Sequence, residues 1–149
     1  MAEINLTQAE ADRLIAIQKI KVSDTPWEYP VQGSGISIPL VSIDKKENFL
    51  LDISRGRIDL IKGRYQTRAR QVVILVRIDF GGAPHRNPDG KEVASPHLHV
   101  YREGYGDKWA TLIPKDLFKN ISDRSQLLED FMEYCNIIQR PNIVHGLFI

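Results

Sequence analysis

Long apolar runs are missing from this chain, and so are cysteines beyond a single one, Cys135. No stretch approaches the roughly 20 apolar residues that a bilayer-spanning helix requires. One cysteine excludes an intrachain disulfide and a thiolate metal cage, and its apolar neighbours at helical spacing read as core. Charge of one sign is missing too: 20 Lys and Arg offset 19 Asp and Glu, for a formal +1. A whole-molecule electrostatic case for nucleic acid therefore fails, and any such case rests on local clustering. The start MAEINLTQAE lacks the basic and apolar regions of a secretory signal, so a cytoplasmic protein without membrane contact is expected. No Gly-x-Ser-x-Gly motif is present, which leaves acyl transfer without a clear nucleophile. The turn GYGDKW lacks the lysine-serine or helix-start context of a nucleotide-binding loop.

What is present suits one folded domain over residues 1–149, with 42% hydrophobic and 26% charged residues. Thr7 and Glu10 have capping-box spacing, and Ala11, Leu14 and Ile15 form an apolar stripe, which predicts a helix ending near Ile20. Strand patterns follow. Residues 36–43 (ISIPLVSI) are β-branched, with Pro39 demoting part of the run to an edge or a bulge. NFLLDI and RIDLIK flank Ser54-Arg55-Gly56 as a hairpin, and residues 71–80 (QVVILVRIDF) read as a central strand. After a loop rich in glycine and proline come HLHVYRE and WATLI, then an amphipathic helix from Ser125 to Ile138. The expected fold is α+β: an antiparallel sheet of about five to six strands, with an N-terminal and a C-terminal helix packed on it.

Chemistry concentrates in residues 96–110 (PHLHVYREGYGDKWA). Alternation along a strand puts His97, His99 and Tyr101 on one face, and Arg77 and Asp79 share a face on the strand before. If the two strands pair, all five meet, with His85 in the loop between them. Unpaired charges inside a protein cost several kcal/mol, so a functional site is favoured over a solvated sheet face. Three chemistries compete for it. In metal-free phosphodiester cleavage, histidines serve as base and acid while Arg77 and Arg102 stabilise the phosphorane charge, with no cofactor. In a cupin-like alternative, His97, His99 and Glu103 hold a metal. In the third, Tyr101, Tyr105 and Trp109 beside Arg102 and Lys108 make a non-catalytic partner-binding or inhibitory surface.

A second cluster bears on the choice. Seven basic residues (Arg55, Arg57, Lys62, Arg64, Arg68, Arg70 and Arg77) face one acid, Asp59, between positions 55 and 77. Arginine forks onto phosphate, and Tyr65 among them can stack on a base, so Arg55, Arg57, Arg64, Tyr65, Arg68 and Arg70 form the candidate nucleic-acid surface. The competing reading is a solvated hairpin face whose arginines pair with acidic residues.

FLLDISRGRIDLIKGRYQTRAR, VRIDFGGAPHRNPDG and SPHLHVYREGYGDKWA together resemble a family of small, uncharacterised bacterial proteins, over nearly the whole chain. More distantly, the order Arg77, Asp79, Pro84-His85, Pro96-His97, His99 resembles the TumE toxins of bacterial and archaeal toxin–antitoxin pairs. That resemblance implies an RNA- or translation-directed toxin with a cognate antitoxin as partner. The expectation is thus a cytoplasmic RNA-directed protein, a metal-independent ribonuclease in its enzymatic form, with His85, His97, His99, Arg77, Asp79, Tyr101 and Arg102 as catalytic residues.

Overall fold

Thr7 and Glu10 close the capping box that their spacing predicts, and the helix α1 runs over Gln8–Ala16 in the computed structural model, which describes residues 5–145. The first four residues of the polar start lie outside the described ones. α1 stops short of Ile20 because Ile17 turns extended and leads into β1 (Lys19–Lys21). Then follow β2 (Trp27–Glu28), β3 (Gly35–Ser42), β4 (Asn48–Arg55), β5 (Gly63–Ala69), β6 (Val73–Phe80) and β7 (His85–Arg86). The chain continues through β8 (Glu92–Val93), β9 (His97–Val100), β10 (Ala110–Leu112), α2 (Arg124–Tyr134), β11 (Ile137–Gln139) and β12 (Ile143–Val144). No helix among the described residues is long and apolar enough to cross a membrane.

The sheet corrects the expectation of an antiparallel one with about five to six strands: it has eight, in the order β10-β9-β6-β5-β4-β3-β1-β11, and it is mixed because β1 and β11 run parallel. Two causes account for the difference. β1 and β11 have three residues each, too few for alternation to register, and β11 takes the end of the segment that helical spacing assigned to α2. In addition, RIDLIK is the loop of the β4–β5 hairpin, leaving Ile58, Leu60 and Ile61 exposed, and the strand is the arginine-rich GRYQTRA after it. Pro39 fits its expected place. It lies one residue beyond Leu40, where β1 stops covering β3, so no ladder partner on that side calls for its missing N–H.

Period-two alternation divides the sheet into two chemically different faces. The rows Ile38–Leu51–Thr67–Val76 and Ile53–Tyr65–Ile78–Leu98 run across neighbouring strands. They are buried against Ala11 and Leu14 of α1 and Leu127, Leu128, Phe131 and Met132 of α2. Lys19 joins the two helices: its buried ammonium donates to the carbonyls of Ile15, Ile17 and Cys135, at the C-terminal ends of α1 and α2. There it satisfies acceptors that the helix ends leave free. The opposite face carries two polar rows, Ser37–Asp52–Gln66–Arg77–His99 and Ser54–Arg64–Asp79–His97. These rows place the site.

Candidate active site

β6 and β9 pair antiparallel with Asp79 opposite His97 and Arg77 opposite His99, so the strand alternation read from the sequence brings these four together. Two loops then cover the end of their rows. The β7–β8 hairpin carries His85 against His97 and His99, and the turn of residues 104–109 brings the Asp107 and Lys108 carbonyls to His99 and His85. As a result His97 is 3% exposed and His99 is fully buried, on the face of the sheet away from the helices.

Each imidazole is oriented by an oxygen acceptor. His99 Nδ1 lies 2.7 Å from the Asp107 carbonyl, and its Nε2 lies 3.0 Å from the Arg77 guanidinium. A carbonyl can only accept and a guanidinium can only donate, so the proton sits on Nδ1 and Nε2 offers a lone pair. His85 Nε2 donates to the Lys108 carbonyl at 2.7 Å, which leaves its Nδ1 as acceptor. His97 Nε2 donates to Asp79 Oδ2 at 3.3 Å, and its Nδ1 is buried with no partner. Burial pushes the His97 pKa below its ordinary value against the opposing pull of Asp79. This imidazole therefore stays uncharged near neutral pH.

Asp79 is the hub. Its Oδ1 accepts from Arg64 Nε at 2.7 Å, and its Oδ2 lies 3.1 Å from Arg77 and 3.5 Å from His99 Nε2. Burial works against its charge, but the guanidinium groups of Arg77 and Arg64 outweigh that cost and hold the carboxyl well below the usual carboxylate range. Arg77 is fixed in turn by the Asp107 carboxylate.

The site opens into a cleft of about 340 Å³ lined by Arg55, Lys62, Arg64, Arg77, Asp79, His85 and His97. Four cations and one carboxylate make its wall suited to an anion. Lys62 reaches it because Gly81, at φ +70, lets the β4–β5 loop close in; a Cβ there would sit 2.8 Å from the Lys62 Cα.

The remaining expected residues lie elsewhere. Tyr101 turns into the core, where its hydroxyl bonds the Leu6 N–H and carbonyl. Arg102 stacks over Trp109, 4.2 Å from the ring centroid. Glu103 accepts from the Gln8 N–H at the start of α1, so a metal set of His97, His99 and Glu103 does not assemble. Of the nucleic-acid candidates, Arg55 and Arg64 reach the cleft. Arg57 is exposed on the adjoining loop. Arg68 is bound to Asp52 and Arg70 pairs with Glu10. Tyr65 is buried, its hydroxyl donating to the Arg124 carbonyl, and cannot stack on a base.

Four contributions go beyond the site residues named from the sequence: Lys62 as a cleft wall, the Asp107 carboxylate as the partner of Arg77, and the carbonyls of Asp107 and Lys108 as imidazole anchors. Lys62 carried a signal, since it follows the glycine-flanked turn into β5. The carbonyls carried none, because every residue type has one.

A family model described as a family of unknown function (DUF6978) matches residues 6–137. No curated protein and no solved structure matches the chain.

Proposed function

We propose, for a chain that belongs to this family of unknown function, that the cleft binds RNA and cleaves it by metal-independent acid–base catalysis. The observation that carries the reading is His97: it lines a four-cation cleft beside His85, and its Nε2 is held by Asp79. In this reaction the His97 imidazole takes the proton from a ribose 2′-hydroxyl, and the 2′-oxygen attacks phosphorus. Protonated His85 gives a proton to the departing 5′-oxygen as the P–O5′ bond breaks, leaving a 2′,3′-cyclic phosphate. Asp79 stabilises the imidazolium formed at His97. Arg64, Arg77 and Lys62 neutralise the charge building on the phosphorane oxygens. Arg102, committed to Trp109, has no part in this arrangement.

The resemblance to the TumE toxins supports the further reading of a toxin held in check by a small antitoxin, which predicts an acidic reading frame next to the gene. Incubation with RNA in EDTA tests the chemistry. Cleavage is expected, with cyclic-phosphate ends, none on a 2′-deoxy strand, and a loss of roughly 10²- to 10⁴-fold in His97→Ala. A wild-type protein that binds RNA without cutting it would leave a binding module instead.

A further inference from the structure

We infer that His85, His97 and His99 form a binding site for one divalent transition-metal ion of the zinc class, and that this ion blocks the acid–base chemistry proposed above. The binding half stands on geometry; the blocking half rests on the cleavage reading.

One nitrogen from each of the three rings lies within 4.8 Å of the others. The ring centroids are 4.6, 5.0 and 5.6 Å apart. Three imidazoles around an ion at a zinc–nitrogen bond of about 2.1 Å have nitrogens roughly 3.4 Å apart and centroids about 5 Å apart. The rings already have the second spacing, and a small swing about their χ angles brings the nitrogens to the first.

Orientation agrees with spacing. Imidazoles that ligate metals hand their other N–H to a carbonyl or a carboxylate. Here His99 uses the Asp107 carbonyl, His85 the Lys108 carbonyl and His97 the Asp79 carboxylate. The cost falls on Arg77, whose bond to His99 Nε2 must break. Its other nitrogen is already held by Asp107, so the guanidinium has somewhere to remain.

An all-imidazole set selects zinc, cobalt, nickel or copper over magnesium and calcium, which want oxygen ligands. Three protein ligands leave a fourth position facing the cleft. An ion there occupies the lone pair that would accept the 2′-hydroxyl proton.

Calorimetric titration of the metal-stripped full chain with Zn²⁺, and with Mg²⁺ as the contrasting ion, tests the binding half without RNA. One zinc per chain is expected and no magnesium, with Co²⁺ giving the visible absorption of a low-coordinate site. His85→Ala, at a half-buried position where folding has least at stake, should weaken zinc binding more than roughly tenfold. Its thermal melt confirms that the variant is folded. No zinc uptake by the wild type, or equal uptake by folded His85→Ala, overturns the site and leaves the cleavage reading standing. RNA assays then separate the two ideas. Cleavage in EDTA that one equivalent of zinc suppresses supports both. Cleavage in EDTA that bound zinc leaves unchanged overturns the blocking. Bound zinc with no cleavage in EDTA supports the site and sinks the metal-independent reaction.

Discussion

Asp52 and Asp79 sit on the same outer face of the sheet, both on polar cross-strand rows and both beside arginines, yet their surroundings differ in what they leave undone. Asp52 is gripped by one arginine as a fork: Arg68 Nε to Oδ2 at 2.6 Å and Nη2 to Oδ1 at 2.9 Å, with Ser37 and Gln66 filling the rest. The buried atom left without a partner there is Gln66 Oε1, which has no acid–base chemistry. Asp79 divides its oxygens among Arg64, Arg77, His97 and His99, and the loose ends around it are His97 Nδ1 and Arg77 Nε. A carboxylate closed on one guanidinium holds strands together. A carboxylate shared among four groups leaves part of their hydrogen-bonding capacity unfilled.

The largest test of that contrast is a matched pair of isosteric changes. Asp79→Asn should lower RNA cleavage in EDTA by roughly 10²- to 10⁴-fold, since the imidazolium formed at His97 loses its counter-charge. Asp52→Asn should leave the rate within about twofold, because no group that moves a proton depends on it. Equal losses in the two variants would dissolve the distinction between the networks.

The next test uses the arginines themselves. Arg64 lines the cleft, whereas Arg68 is folded onto Asp52. The affinity for single-stranded RNA falls with salt by about 0.7 in slope for each phosphate neutralised. Arg64→Ala should therefore flatten the plot of log affinity against log salt by about that amount, while Arg68→Ala leaves the slope in place. Flattening by Arg68→Ala and not by Arg64→Ala would move the RNA path away from the cleft.

How far the sequence foretold this depends on whether a residue's role follows from strand period. Arg77, Asp79, His97 and His99 were legible because alternation on two strands joined by a loop brings them onto one face. Tyr101 follows the same alternation on paper and breaks it in the fold. β9 ends at Val100, the register of β6 slips past Leu75, and the Tyr101 N–H bonds the Leu75 carbonyl while the ring enters the core. The charge count over residues 55–77 treats one run as one patch. Alternation through GRYQTRA splits it, sending Arg64 and Arg68 outward and Tyr65 inward. His85 was legible as a loop histidine, but its position depends on the Lys108 carbonyl, which leaves no mark in the side-chain code. The eight-strand sheet was under-read for a related reason: β1 and β11 owe their pairing to the ends of α1 and α2 meeting on Lys19 and have little pattern of their own.

The smallest expected effect asks whether Asp52 is worth anything to stability. Burial raises its pKa, and the hydrogen bonds from Arg68, Ser37 and Gln66 more than reverse that, so the folded-state value lies below the ordinary 3.8. The unfolded chain therefore takes up this proton first as pH falls. The stability that the fork contributes is complete above the ordinary value and is lost as pH drops through the folded one. Asp52→Asn should cost about 1 kcal/mol in urea unfolding near pH 6, the scale of a well-formed, part-buried ion pair that solvent still screens. The gap from wild type should narrow as the pH falls below the ordinary carboxylate value and the folded Asp52 begins to take up its proton. Asp79 titrates in both proteins and cancels from the difference, so the closing gap reports Asp52 alone. A gap that does not narrow at all as the pH falls below the ordinary carboxylate value would mean that the asparagine disturbs packing, and that the Arg68 fork stabilises the sheet by shape instead of charge.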